Sequence, residues 1–183
     1  MKIYLACGLT HVPRSEFPAY VNLLQNLVAR LTDMHGIEVK YALRDSDPQL
    51  GQKPFADRAR LCYEWDREMV EWADLVVAEA SFPSTGLGIE LQIACARNTP
   101  IIVAFKMDER HKASPVEYRT PDHDLHSLQL GEGYVSLMAL GLPTITKVLS
   151  YRSDADALSK VGATVAAHCG SSSPHASTPT NSQ

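Results

Sequence analysis

The chain has 183 residues, 45% of them hydrophobic and 21% charged, and a net charge of −4. One domain with a sizeable core is expected at that length, and the composition excludes a disordered chain. The acidic balance argues against binding a nucleic-acid polymer, which takes a basic surface, and leaves room for a local anion site that holds a nucleotide monomer.

KIYLA (Lys2 to Ala6) reads as a strand ending at Cys7-Gly8. It has one Lys and no long apolar stretch, so it is not read as a signal peptide, and no run is long enough to span a membrane. The four cysteines have no paired CxxC spacing, which predicts free thiols and a cytoplasmic location. A helix capped by Ser15 follows, with Leu24, Leu27, Val28 and Leu31 at helical spacing and Gly36 as its stop. Ile37 to Leu43 alternates as a strand, and RDSDPQLGQKP reads as a polar loop.

A long helix is predicted over Phe55 to Trp72, with Leu61, Cys62, Trp65, Met69 and Val70 along one side. LVVAEA is the third strand, Ile89 to Asn98 the next helix and PIIVAF the fourth strand. Lys106 to Pro143 is polar to about Gly133, with HDLHSLQL as a short helix. Thr144 to Tyr151 gives a fifth strand, and Ser153 caps a last helix from Asp154 to about His168. The alternation predicts an α/β fold: a single doubly wound, five-stranded parallel sheet, flavodoxin-like or Rossmann-like, with helices on both faces. Residues 1–169 form this domain, and 170–183 form a disordered polar tail.

Chemistry concentrates at the carboxyl end of the third strand. There the turn SFPSTGLG opens a helix, with Glu90 expected in its first turn. Gly86 and Gly88 let backbone amides approach a ligand, Ser84 adds a hydroxyl, and the helix start favours a small anion. Asp66 lies on the stripe of Cys62 and Val70 and so faces the sheet. A carboxylate there serves either as a buried salt bridge or loop tie, or as a general acid whose pKa burial raises. Two carboxylates on one crevice are the equipment for cleaving a glycosidic bond. His11, His123 and His126 have no ligand-like partner spacing, and STGLG is neither a P-loop nor GxGxxG. No metal or cofactor is expected.

KIYLACG, WDREMVEWADLVVAEASFPSTGLGIELQIA and PIIVAF, about half the chain, resemble the nucleoside 2-deoxyribosyltransferase superfamily, and within it the 2′-deoxynucleoside 5′-monophosphate N-hydrolases. The resemblance implies that Glu90 is the nucleophile at C1′, forming a glycosyl-enzyme intermediate. It implies that Asp66 assists departure of the base and then activates water, and that Tyr4 lies near the sugar and the nucleophile. Gly8, Gly86 and Gly88 would line the site. Ser84 takes the place where the transferases tend to carry an Asp, and contacts the 5′-phosphate in the hydrolases. Ser114 would supply a second phosphate contact from a neighbouring subunit of a homodimer or larger homo-oligomer, and Arg14 is the candidate cation. The first loop, LTHVPRSEF, lacks the usual Gly-rich continuation, and Met107 to Pro143 is an insert without counterpart.

The leading expectation is hydrolysis of (deoxy)nucleoside 5′-monophosphates to free base and sugar 5-phosphate. The alternatives are base exchange by a deoxyribosyltransferase, and a nucleotide-sensing module without catalysis. In each the partner is a small-molecule nucleotide or nucleoside.

Overall fold

The structure, a computed structural model, describes residues 1–171. Its central sheet has five strands: β1 (Lys2–Cys7), β2 (Glu38–Tyr41), β3 (Leu75–Glu79), β4 (Ile101–Lys106) and, after the insert, β7 (Ile145–Tyr151). They are ordered β2-β1-β3-β4-β7, and every pairing is parallel. This is the flavodoxin-like order, whose switch point lies between β1 and β3.

Helices cover both faces. On one side α1 (Phe17–Thr32) and α7 (Asp154–Ser171) pack against Ile3, Leu5, Val77, Ile102 and Leu149. On the other, α4 (Phe55–Trp72) and α5 (Thr85–Ala96) pack on Tyr4, Ala6, Val76, Ala78 and Val103. Alternate residues of each strand feed opposite faces, and β3 is buried along its whole length. A strand covered on both faces needs that near-continuous apolar run. Among the described residues no helix is long and apolar enough to cross a membrane, and the four cysteines are free thiols.

Several boundaries differ from the sequence reading, each for a local reason. The N-cap of α1 is Glu16, not Ser15, and it makes no side-chain capping bond. Its carboxylate lies 3.1 Å from His111 Nε2 and 3.4 Å from Arg110 instead, while Pro18 in the first turn sets the backbone for a helix. The polar loop after β2 is two helical turns, α2 (Ala42–Asp45) and α3 (Asp47–Leu50). Asp45 holds the first by accepting from the Tyr41 amide at 2.9 Å, and Pro48 opens the second. HDLHSLQL is not helical: β5 (Glu117–Arg119) and β6 (Leu125–Ser127) form an antiparallel hairpin, with His123 at φ +68° in its turn. All six strand residues of the hairpin are exposed, so there is no apolar face on which a helix could dock. The insert ends in a short turn, α6 (Leu137–Leu140). Helix α7 runs to Ser171, so Gly170 and Ser171 are helical rather than part of a tail; the expectation for 172–183 lies outside the described residues.

At the carboxyl end of β3, on the α1/α7 face, Glu79 is completely buried. Burial raises its carboxyl above the usual range, and hydrogen bonds from Ser81 and Tyr151 oppose that rise. Tyr151 OH donates to Oε1 at 2.6 Å, and the Ser81 hydroxyl donates to the same oxygen. The Lys106 amide in turn donates to Ser81 Oγ at 2.8 Å. Strands β3, β4 and β7 are thereby tied at one end. Tyr151→Phe removes one of these donors without changing the ring. It should lower the unfolding free energy, read from urea titration, by about 1–3 kcal/mol.

Candidate functional site

Tyr4 stands at the middle of β1, fully buried on the α4/α5 face beside the switch point. Its hydroxyl donates to Glu90 Oε1 at 2.7 Å. The other oxygen, Glu90 Oε2, is buried and has no hydrogen-bond partner among the described residues. Desolvation pushes the Glu90 carboxyl up to about 8, nearby Asp66 adds to the rise, and the Tyr4 hydrogen bond opposes it. The same burial, with Glu90 and Asp66 beside it, holds the Tyr4 phenol well above its ordinary value. An unpaired carboxylate oxygen out of water is costly to a fold and apt for chemistry.

Helix α5 begins earlier than its sequence pattern suggested. Ser84 is its N-cap, and Ser84 Oγ accepts from the Leu87 amide at 3.1 Å. Glu90 therefore sits in the second turn, not the first. Its burial comes from packing, with Leu87, Leu91 and Ala94 turned the same way, and not from a position at the helix end.

Asp66 projects from the middle of α4 and is half-buried. Ser46 Oγ donates to Oδ1 at 2.7 Å, and the Cys62 thiol donates to Oδ2 at 3.4 Å. The neighbouring cation, Arg67, is engaged with Glu71 at 2.8 Å. No salt bridge forms: the partners of Asp66 are a hydroxyl and a thiol, and the Ser46 bond ties it to the segment after β2. Burial, followed by the Asp66 charge, pushes the Cys62 thiol up to about 11. Tyr4, Asp66 and Glu90, from three separate elements, share one electrostatic neighbourhood.

The glycines divide. A Cβ on Gly8 would stand 2.7 Å from Ser84 Cβ, so only glycine lets the end of β1 lie against the Ser84 turn. Gly86 and Gly88 lie in the opening turns of α5; a Cβ on Gly86 would meet Ser84 Oγ at an ordinary 3.7 Å, one on Gly88 would meet nothing, and the Gly88 amide already donates to the Ser84 carbonyl at 3.2 Å. Steric demand accounts for Gly8 and not for those two. The amides without a partner inside the helix are those of the first turn, at Thr85 and Gly86. Arg14 is exposed on the loop after β1. Ser114 is exposed on the insert and lines a cleft with Lys112, Gln129 and Gly131. It does not share the mostly apolar cavity of about 400 Å³ in which Ser84, Leu87 and Gly88 face Tyr134 and Leu137.

The sequence reading missed Ser46, because a polar run signals a solvated loop and gives no sign that one hydroxyl will be buried. It also missed Glu16, Asp108 and His111, whose ligating atoms lie within 4.8 Å of one another. Arg110 already occupies that cluster, 2.6 Å from Asp108 and 3.4 Å from Glu16.

No family model matches the chain. A protein of Thermofilum pendens provisionally named 2′-deoxynucleoside 5′-phosphate N-hydrolase 1 is 32% identical over 111 residues, 60% of this chain and 71% of that one. The 5-hydroxymethyl-dUMP N-hydrolase of Danio rerio is 29% identical over 106 residues, 58% of this chain and 69% of that one. The structure of a CMP N-glycosidase from Clostridium botulinum superposes with a TM-score of 0.52 at 18% identity, covering 88% of this chain and 98% of that one, which speaks to the fold. With a relative 32% identical of which the chain covers 71%, the chain belongs to the 2′-deoxynucleoside 5′-phosphate N-hydrolases and is an enzyme.

Proposed function

We propose that this enzyme hydrolyses (deoxy)nucleoside 5′-monophosphates to free base and sugar 5-phosphate through a covalent intermediate on Glu90. The observation that carries the reading is the state of Glu90. One oxygen is fixed by Tyr4 at 2.7 Å, and the other is buried and unpaired, with Asp66 close enough to act on its charge.

In the first step Glu90 Oε2 attacks C1′, and the C1′–N bond breaks with its electrons passing to the base, which takes a proton from Asp66. In the second, Asp66 removes a proton from water, the hydroxide attacks C1′, and Glu90 leaves as a carboxylate. Asp66 thus changes from acid to base between the steps, as a retaining glycosidase requires. The 5′-phosphate is assigned to the turn at Ser84, whose hydroxyl can donate while its oxygen caps α5, and to the free amides of the helix start. Ser114 takes part only from a second copy of the chain, and Arg14 is the cation in reach of the first loop. Serine at position 84 favours water-driven release over base exchange between nucleosides, since an Asp there would repel the phosphate.

A panel of nucleotides and nucleosides, incubated with and without a foreign free base, tests this. Base and sugar phosphate should appear, and exchanged nucleoside should not. Glu90→Ala and Asp66→Asn should each lower kcat by about three orders of magnitude or more. Ser84→Asp keeps an N-cap and should weaken cleavage of nucleotides far more than of nucleosides; equal effects would place the phosphate elsewhere.

The pH dependence follows from Glu90. As a nucleophile it must be ionised, so with a leaving group such as 4-nitrophenolate, which departs without a proton from Asp66, kcat/KM should climb about tenfold per pH unit and level off above about 8. Tyr4→Phe removes the bond that favours the charged form, and should move that limb to higher pH. Stability should run the opposite way. Between the ordinary carboxyl value of 4.5 and about 8, the folded state holds a proton that the unfolded chain releases. Folding stability therefore falls as pH rises through that window. Glu90→Gln cannot ionise, and should gain on the parent protein by at least about 1.4 kcal/mol between pH 5 and pH 9 in urea titrations.

A further inference from the structure

Asp66 is held from outside its own helix by one side chain, and that side chain has no place in the reaction described so far. Ser46 joins α2 to α3 and is only 1% exposed. Its backbone is fixed on both sides: its amide donates to Ala42 O at 3.2 Å, and its carbonyl accepts from the Gln49 and Leu50 amides at 3.1 Å each. The hydroxyl thus arrives at Asp66 Oδ1 from a rigid support. The other contact, Cys62 Sγ to Oδ2 at 3.4 Å, is a weak thiol bond from one turn away on the same helix.

We infer that Ser46 is the positioning residue of the acid–base carboxylate: it fixes Asp66 Oδ1 and leaves Oδ2 as the oxygen that exchanges the proton with base and water. The inference rests on the role of Asp66 proposed above. A hydroxyl suits the task because it serves both protonation states. It donates to the carboxylate, and by rotating its proton it accepts from the acid. Asp66 can then alternate between acid and base without losing its anchor or its rotamer. An Ala at position 46 offers neither bond, and a Lys there could only donate, favouring the carboxylate. The weakly held Oδ2 is free to exchange a thiol contact for the leaving base, at little cost in hydrogen bonding.

The test compares Ser46→Ala, Ser46→Thr and the nearly isosteric Ser46→Cys in the full chain. With the best-cleaved nucleoside 5′-monophosphate, Ser46→Ala should lose about ten- to a hundredfold in kcat with KM within about threefold, because the anchor acts on the reacting geometry and not on binding. Ser46→Thr should restore most of the rate, and Ser46→Cys should fall between. A 4-nitrophenyl 2-deoxyriboside 5-phosphate, whose leaving group departs without a proton, should release its first equivalent of nitrophenolate from Ser46→Ala at nearly the parent rate, since only the later attack of water needs Asp66. In the substrate-free protein, the carboxyl ¹³C resonance of Asp66, assigned by its loss in Asp66→Asn, should move in Ser46→Ala while that of Glu90 stays. Equal losses on both leaving groups would reduce Ser46 to a structural residue and overturn the inference, as would an unmoved Asp66 resonance. If the parent protein released base from no nucleotide while the Asp66 resonance still moved, the proposed reaction would fail, and with it the catalytic role given to Ser46.

Discussion

The hydrogen bond from Tyr4 to Glu90 is the constraint around which the site is arranged. It joins β1 to α5 beside the sheet's switch point, 2.7 Å long and shielded from water. Both partners are disfavoured in their charged forms by burial. A phenol that will not ionise is a dependable donor, and a carboxyl with one donor and one bare oxygen is directional. The bond therefore fixes which Glu90 oxygen is occupied and which is left without a partner. Helix α5 cannot rotate about its axis without breaking it, and Ser84 at the start of that helix is pinned against Gly8 at the end of β1. The proposed nucleophile and the proposed phosphate site are carried by one rigid body.

Asp66 answers to a different support. It stands on α4 and depends on the α2–α3 segment through Ser46. The proposed acid–base group and the proposed nucleophile are thus held by different elements, the α2–α3 segment and β1. Such an arrangement suits a reaction in which one carboxylate stays covalently engaged while the other changes protonation state. It also places the segment 42–53, rather than the Ser84 turn, next to the point of proton transfer.

Much of this was legible in the residues. The bounds of α4 follow from its apolar stripe, and β3 and β4 from their β-branched runs, because packing against the sheet is the force that selects those patterns. The carboxylates were recognisable because Asp66 falls on an apolar stripe and Glu90 between apolar neighbours. What the residues hid has physical reasons too. The start of α5 was misplaced because Gly86 and Gly88 read as a turn, while the Ser84 cap and the packing of Leu87 outweigh their poor helix propensity. The α2 and α3 turns are held by Asp45 and by the fold around Ser46, none of which has a local signal. The hairpin in the insert arises where periodicity is absent, and there sequence pattern has least to say.

The comparison of two buried glutamates shows why burial is not by itself a sign of chemistry. Glu79 and Glu90 lie at the same end of the sheet, on opposite faces, and burial raises both. Glu79 accepts from the hydroxyls of Ser81 and Tyr151, with the Ser81 amide 3.4 Å from its second oxygen. Its hydrogen-bonding capacity is spent on joining β3 to β7, and exposing it would cost the fold more than any ligand could return. Glu90 has a single donor and an orphaned oxygen. The difference lies in how many donors the fold supplies, and a carboxylate left short of partners in a dry site retains a free-energy cost that a reaction can relieve. By that criterion Glu79 is mortar, and Glu90 is the carboxylate to which the proposed chemistry is given.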